Sequence, residues 1–329
     1  MKRILITGAT GFIGNFLVEE ALKRGFDVTA SIRKSSKTDH LRHHPIRFAE
    51  INLNDPKSLK EYFSQNKYDY IIHNAGVTKA NTLQEYYIVN TDYTKNVVNA
   101  VIESGNIPDK LIYISSLAAA GPGDPITLTP IKASDTPNPI TAYGKSKFES
   151  EKFLDGLKDF PYMIIRPTVV YGPREQDLFV FVKTINKNLQ PKIGFGTQHL
   201  SFIYVRDLVE IIYRALETSH LRKTYFAADG NAYNQTILAQ TIKKHLKKKT
   251  IGFTIPIGLI RVIAFMNEKI YGLTGKMPVL NLEKVRDLET KNWLINIESM
   301  QTDLSFTPNY NLEKGMGEAI EWYKKEGWI

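Results

Sequence analysis

Tyr143 and Lys147 stand four residues apart in Tyr143-Gly144-Lys145-Ser146-Lys147, which opens a helix-like stretch over 148–157. Residues at that spacing share one helix face. A phenol with a pKa of ~10 is a poor acid or base near neutrality. An ammonium beside it favours the phenolate, and the pair can then exchange a proton with a substrate hydroxyl or carbonyl. Ser115-Ser116 closes the apolar run Leu111-Ile112-Tyr113-Ile114. In an open parallel sheet, ligands collect beyond the carboxyl ends of the strands, which is where these serines fall. Ser116 is placed to hold the same substrate oxygen by a hydrogen bond. The chain has no cysteine, so disulfides, thiolate nucleophiles and Cys-ligated metals are excluded, and no metal site is expected.

Proton exchange of this kind accompanies hydride transfer, and the start of the chain suits the hydride carrier. The run Ile4-Leu5-Ile6-Thr7 predicts a strand, followed by Gly8-Ala9-Thr10-Gly11-Phe12-Ile13-Gly14 and a helical pattern. Gly8 permits the sharp turn, Gly11 lets backbone approach a pyrophosphate, and Gly14 lets the helix pack on the strand. The helix N-terminus offers its free N–H groups to phosphates. Thr7, Gly8, Thr10, Gly11, Phe12, Ile13 and Gly14 are therefore the first cofactor contacts expected.

Three further strands follow. The stretch Phe26-Asp27-Val28-Thr29-Ala30-Ser31-Ile32 ends in Arg33-Lys34. An acid here would bind the ribose 2′-hydroxyl of NAD, whereas a cation suits the 2′-phosphate of NADP. With Ile32 and Arg33 in place, NADP(H) is favoured and NAD(H) is the alternative. A third strand near 46–51 leads to Asn52-Leu53, also expected at the cofactor, and to a helix capped by Asn54-Asp55 before Pro56. The fourth strand, Tyr70-Ile71-Ile72-His73, ends in Asn74-Ala75-Gly76-Val77, small residues that let backbone pass close to a cofactor. His73 reads as a buried strand-end histidine. A single helix is expected over 83–103, with Asn90 and Thr94 on one face.

Together these segments resemble an extended short-chain dehydrogenase/reductase, a family that includes sugar-nucleotide epimerases and dehydratases, dihydroflavonol reductases and 3β-hydroxysteroid dehydrogenases. The likeness continues through Arg166-Pro167-Thr168-Val169-Val170-Tyr171-Gly172-Pro173, Phe202-Ile203-Tyr204-Val205-Arg206-Asp207-Leu208 and Asp303-Leu304-Ser305-Phe306-Thr307-Pro308. The resemblance implies an α/β fold: a doubly wound parallel (Rossmann) sheet with a smaller C-terminal substrate lobe. It implies a dinucleotide-binding domain over 1–172, with 201–230 returning to it, and a substrate lobe of 173–200 and 231–329. It gives Ser116, Tyr143 and Lys147 the catalytic roles. It puts Asn74, Ala75, Gly76, Asn90, Ser115, Pro167 and Val169 at the cofactor, and Val77, Ser116, Arg174 and His199 at the substrate. Tyr93 and Ala120 depart from the family pattern, which has Gly and Tyr there. Leu117-Ala118 replaces the acidic pair of the dehydratases, and neither residue can move a proton.

The expected activity is NAD(P)-dependent reduction of a carbonyl or oxidation of a secondary alcohol. Nucleotide-sugar epimerisation through a transient ketone needs the same three residues and is the alternative; a non-catalytic dinucleotide sensor is a third reading. The net charge of +9 suits an anionic cofactor or substrate, and no basic–aromatic interleaving points to nucleic acid. Phe253, Ile255, Ile257, Leu259, Phe265 and Met266 are expected to line an apolar pocket, which would suit a hydrophobic substrate. Lys243-Lys244-His245-Leu246-Lys247-Lys248-Lys249 reads as a solvated helix end, and membrane contact is not expected. Lys2-Arg3 leads into a short strand, not an apolar leader, so a cytoplasmic protein is expected. A homodimer is expected by analogy alone.

Overall fold

The structure, a computed structural model, describes residues 1–274 and 281–329. The chain begins with β1 (Arg3–Thr7), α1 (Phe12–Lys23), β2 (Asp27–Ile32), β3 (Arg47–Glu50), α2 (Pro56–Gln65), β4 (Tyr70–His73), α3 (Leu83–Tyr86) and α4 (Tyr93–Ser104). It continues with β5 (Lys110–Ile114), α5 (Leu117–Ala120), α6 (Ala142–Asp155), β6 (Tyr162–Pro167), β7 (Val169–Tyr171), α7 (Asp177–Asn186), β8 (Leu189–Ile193), β9 (His199–Leu200) and β10 (Phe202–Tyr204). Then come α8 (Val205–Glu217), β11 (Thr224–Ala227), α9 (Gln235–Leu246), β12 (Ile251–Ile255), α10 (Ile257–Thr274), α11 (Leu282–Glu289), β13 (Asn292–Trp293), α12 (Glu298–Leu304) and α13 (Leu312–Lys325).

Seven strands form one sheet in the order β11-β6-β5-β4-β1-β2-β3. Helices cover both faces of such a sheet, so its central strands are mostly apolar: in β5, Leu111-Ile112-Tyr113-Ile114 follows Lys110, and all five residues are buried. The order reverses between β1 and β4, which run parallel with Thr7 opposite His73. A crevice opens at such a reversal, beyond the strand ends. The fold class is the one expected.

The segment 83–103 departs from the single helix expected. Tyr87–Asp92 is a π-helical turn between α3 and α4. The Asn90 carbonyl accepts from two hydroxyls, Thr94 Oγ1 (2.6 Å) and Ser150 Oγ (2.9 Å). Such a turn inserts an extra residue and often marks a functional site.

The chain divides into two compact units. The first comprises Met1–Ala119, Ala142–Arg166 and Val209–Tyr225. Its core packs Leu5, Ile71, Leu111 and Tyr113 of the sheet against Leu59, Phe63, Val97, Val101 and Leu154. The second comprises Ala120–Thr141, Pro167–Leu208 and Phe226–Ile329. Its aromatic core includes Tyr171, Phe202, Tyr204, Tyr233 and Tyr323, with Leu238 and Ile242 of α9 and Met316 and Ile320 of α13. Of the apolar pocket expected in this unit, Ile255 and Ile257 do pack, against Ile260, Ala264 and Val285. Phe253 of β12 instead faces solvent, as do Leu259, Phe265 and Met266 of α10, which turns only one narrow seam inward.

Candidate active site

The glycine turn joins β1 to α1. Gly8 has φ +66°, and a Cβ on it would lie 2.8 Å from the Asn74 carbonyl oxygen. A Cβ on Gly14 would lie 2.1 Å from the Gly8 carbonyl oxygen, so α1 packs on this turn only because the residue is glycine. No side chain caps the α1 N-terminus, which Gly11 begins in an extended conformation. Orphan N–H groups at a helix start are an anion site when backbone can reach them, and the turn supplies that access. The cradle therefore fits a dinucleotide pyrophosphate.

A buried hydrogen-bond chain fixes the neighbouring strand end. The Ala75 amide donates to Thr7 Oγ1 (3.1 Å), which meets His73 Nδ1 (2.9 Å). On the other side of the ring, His73 Nε2 meets Thr94 Oγ1 (3.1 Å), whose proton goes to the Asn90 carbonyl. The network assigns one tautomer: Nε2 carries the proton and donates to Thr94, while Nδ1 accepts from Thr7. His73 is thus a satisfied, fully buried neutral imidazole. Burial, and then the nearby Lys147 charge, push its pKa down to about 3. Asn74 donates from Nδ2 to the Gly8 carbonyl (3.2 Å), tying this loop to the glycine turn.

Asn90, expected at the cofactor, is fully buried. Its Oδ1 accepts from the Val77 amide (2.8 Å), and its Nδ2 donates to the Val77 carbonyl (3.1 Å) and to Ser146 Oγ (3.0 Å). With its amide spent internally, it shapes the loop of Ala75, Gly76 and Val77 and fastens it to α6.

Lys147 is buried, and its Nζ donates to the Ile114 carbonyl (2.8 Å) at the end of β5. A Cβ on Gly76 would come 3.1 Å from that nitrogen, so the amine stands at the ends of β4 and β5 together. Burial lowers its pKa to about 8, while the charge of Glu151 opposes the fall. Tyr143, on the same helix, is partly exposed and packs its ring 6.1 Å from that of Tyr86. Ser116 is also partly exposed; its Oγ accepts from the Ala118 amide (3.2 Å).

One group was not singled out from sequence. Glu151 is almost fully buried and holds Arg166 through both carboxylate oxygens, with Nε to Oε1 at 2.9 Å and a terminal nitrogen to Oε2 at 2.5 Å. Ser115 donates its hydroxyl to Glu151 Oε1 (2.5 Å), so that hydroxyl is committed to the network. The available signal was an acid four residues after Lys147, on the same face of the expected helix.

Arg33 begins directly after β2; its amide donates to Ser36 Oγ (2.9 Å) and its side chain is exposed. Asn52 is exposed and bonds the Asn54 amide through Oδ1, while Leu53 packs partly into the core. In the second unit, Pro167 ends β6 and Val169, exposed, begins β7. Arg174 adopts φ +73°, beside buried Glu175, whose carboxylate accepts from the Asp177 and Leu178 amides at the start of α7. His199 lies on β9, its amide donating to the Lys291 carbonyl (2.7 Å).

Sheet order, glycine turn and an uncapped first helix define a nucleotide-dependent oxidoreductase fold of the extended short-chain type. The chain belongs to the NAD dependent epimerase/dehydratase family, whose model matches residues 4–228. It is similar to the sterol-4-alpha-carboxylate 3-dehydrogenase (decarboxylating) of Dictyostelium discoideum, 26% identical over 335 residues, covering 97% of this chain and 100% of that protein. It is 28% identical over 334 residues to the UDP-glucose 4-epimerase of Vibrio cholerae, covering 97% and 95% of the two chains. The crystal structure of UDP-glucose 4-epimerase from Thermotoga maritima, with UDP-glucose, superposes with a TM-score of 0.81 at 20% identity, covering 98% of this chain and 99% of that one. The chain is therefore an enzyme of this family, working with a nicotinamide dinucleotide.

Proposed function

We propose that the enzyme reduces a carbonyl or oxidises a secondary alcohol with NADP(H), with Tyr143 moving the proton. The observation that carries this reading is the place of the Lys147 amine, at the ends of β4 and β5 and four residues from the phenol. The dinucleotide, when bound, supplies or accepts the hydride. Thr7, Gly8, Thr10, Gly11, Phe12, Ile13 and Gly14, with the start of α1, hold its pyrophosphate, and Asn74, Ala75 and Gly76 form the adjoining wall. Arg33 takes the 2′-phosphate, with Lys34 and Ser35 beside it, and Asn52 and Leu53 are further cofactor contacts. Pro167 and Val169 flank the nicotinamide. Lys147 holds ribose hydroxyls and favours the phenolate of Tyr143. Ser116 holds the substrate oxygen, with Val77, Arg174 and His199 as further substrate contacts.

Epimerisation is the second reading, favoured by the likeness to the Vibrio cholerae enzyme. Epimerisation and the oxidation of a secondary alcohol begin alike, with hydride removed from a carbon bearing a hydroxyl, and carbonyl reduction is the same step run in reverse. Elimination of water is disfavoured, because Leu117 and Ala118 cannot move a proton.

The test is a paired titration of the purified chain with NADPH and NADH. A charge-assisted bond from Arg33 is worth about 1.5–3 kcal/mol, so NADPH binds roughly 10- to 150-fold more tightly. Arg33→Ala removes that difference and leaves NADH binding unchanged. Preference for NADH, or NAD retained through purification, contradicts the assignment and moves epimerisation to first place.

A further inference from the structure

Helix α10 is apolar on two faces. Ile257, Ile260 and Ala264 turn inward against Val285 and Leu282 of α11 and against Ile193 and Ile255. Leu259, Val262, Ile263, Met266 and Ile270 are 39–55% exposed. At 3.6 residues per turn these five form one stripe about 100° wide on the outer side. The acid of α10, Glu268, is turned to α11, where it accepts from the Leu282 amide (2.9 Å). Of the cations, Arg261 pairs with Glu289, and Lys269 lies over the Phe265 ring.

The β8–β12 ribbon that leads into α10 has the same character. Leu189 and Ile251 are paired in register, and both are exposed, as is Phe253. Lysines surround this end of the ribbon. Exposed Lys187 precedes Asn188, whose carbonyl accepts from the Ile251 amide (2.9 Å). Lys247 and Lys249, both exposed, come just before Ile251. Between Lys243 and Ile270 the sequence carries seven Lys or Arg and one acid.

We propose that this face docks on the surface of an anionic lipid bilayer. Soluble chains rarely leave a contiguous apolar stripe uncovered. A helix with an apolar stripe and neighbouring cations lies in the plane of the headgroups, with the stripe entering the acyl boundary and the lysines at anionic lipid. No helix among the described residues is long and apolar enough to cross a membrane, so the contact is peripheral. A second copy of the chain fits less well, because a two-fold contact would set the same lysines against each other. This proposal departs from the expectation from sequence that the lysine run is a solvated helix end, and the exposed outer stripe of α10 is the reason.

The experiment is flotation of the full chain with vesicles of phosphatidylcholine alone, or with one-third phosphatidylglycerol, at about 0.1 M and about 0.5 M salt. The chain is expected to float with the anionic vesicles and to release at high salt. Val262→Asp with Met266→Asp abolishes flotation. Lys247→Gln with Lys249→Gln weakens it about 25-fold, at roughly fivefold per lysine. Both double variants keep the wild-type circular dichroism, melting and dinucleotide binding. The proposal is overturned by absent flotation, by equal flotation with neutral vesicles, by variants that float like wild type, or by a solution dimer that Val262→Asp with Met266→Asp splits.

Discussion

At the scale of single residues, the proposed mechanism turns on Lys147. Its pKa falls from the usual 10.5 to about 8 because it is buried, with Glu151 opposing. The native state therefore gives up this proton before the unfolded chain does, and this group's contribution to stability rises between about pH 8 and 10.5. The catalytic consequence has the opposite sense. Above about pH 8 the amine is neutral and no longer favours the Tyr143 phenolate. The pH profile of kcat/KM is expected to have a limb near 8 assigned to this amine. Lys147→Arg keeps its charge to far higher pH, so that limb moves up by more than one pH unit, whatever the absolute rate. A limb that stays in place in the arginine variant assigns it to another group.

At the scale of elements, the histidine chain welds β1, β4 and α4 beneath the cofactor cradle. His73 is held neutral, with its pKa lowered from 6.5 to about 3 by burial and then by Lys147. Stability from this group is present above pH 6.5 and is lost as pH falls toward 3, since the ring must charge and Nδ1 must cease to accept from Thr7. At ~1.4 kcal/mol per pH unit below 6.5, the loss reaches roughly 3 kcal/mol by pH 4. Urea unfolding across pH 7 to 4 is expected to show it, and His73→Gln to flatten the dependence. An unchanged slope in that variant places the acid sensitivity elsewhere. Local elements were legible where chemistry and spacing are local: the glycine turn, the Asp55–Pro56 helix start and the Tyr143–Lys147 pair. The π turn at Tyr87–Asp92 was not, because its cause is tertiary: the Asn90 amide is drawn to Val77 and Ser146, and its carbonyl accepts from Ser150. Glu151 was missed for the same reason, since its partner Arg166 arrives on β6, one element further along.

At the scale of the whole molecule, the doubly wound parallel sheet was anticipated from the family resemblance, in keeping with the alternation of apolar runs and helical stretches that such a sheet requires, whereas its strand order was not read from sequence. The second unit was less legible. Its apolar residues at 253–266 were expected in a pocket, but hydropathy alone does not say which side of a two-faced helix meets the core. Substrate identity is set by side chains on such surfaces, and a fold shared by sterol dehydrogenases and sugar-nucleotide epimerases leaves it open. The proton-transfer assignment is independent of substrate. The most direct measurement is NADPH oxidation against a panel of ketones and aldehydes by the wild type and by Tyr143→Phe, both first titrated with NADPH. The account predicts turnover by the wild type, and a fall of about 10²–10⁴-fold in the phenylalanine variant at unchanged NADPH affinity. A variant within tenfold of wild type would contradict it.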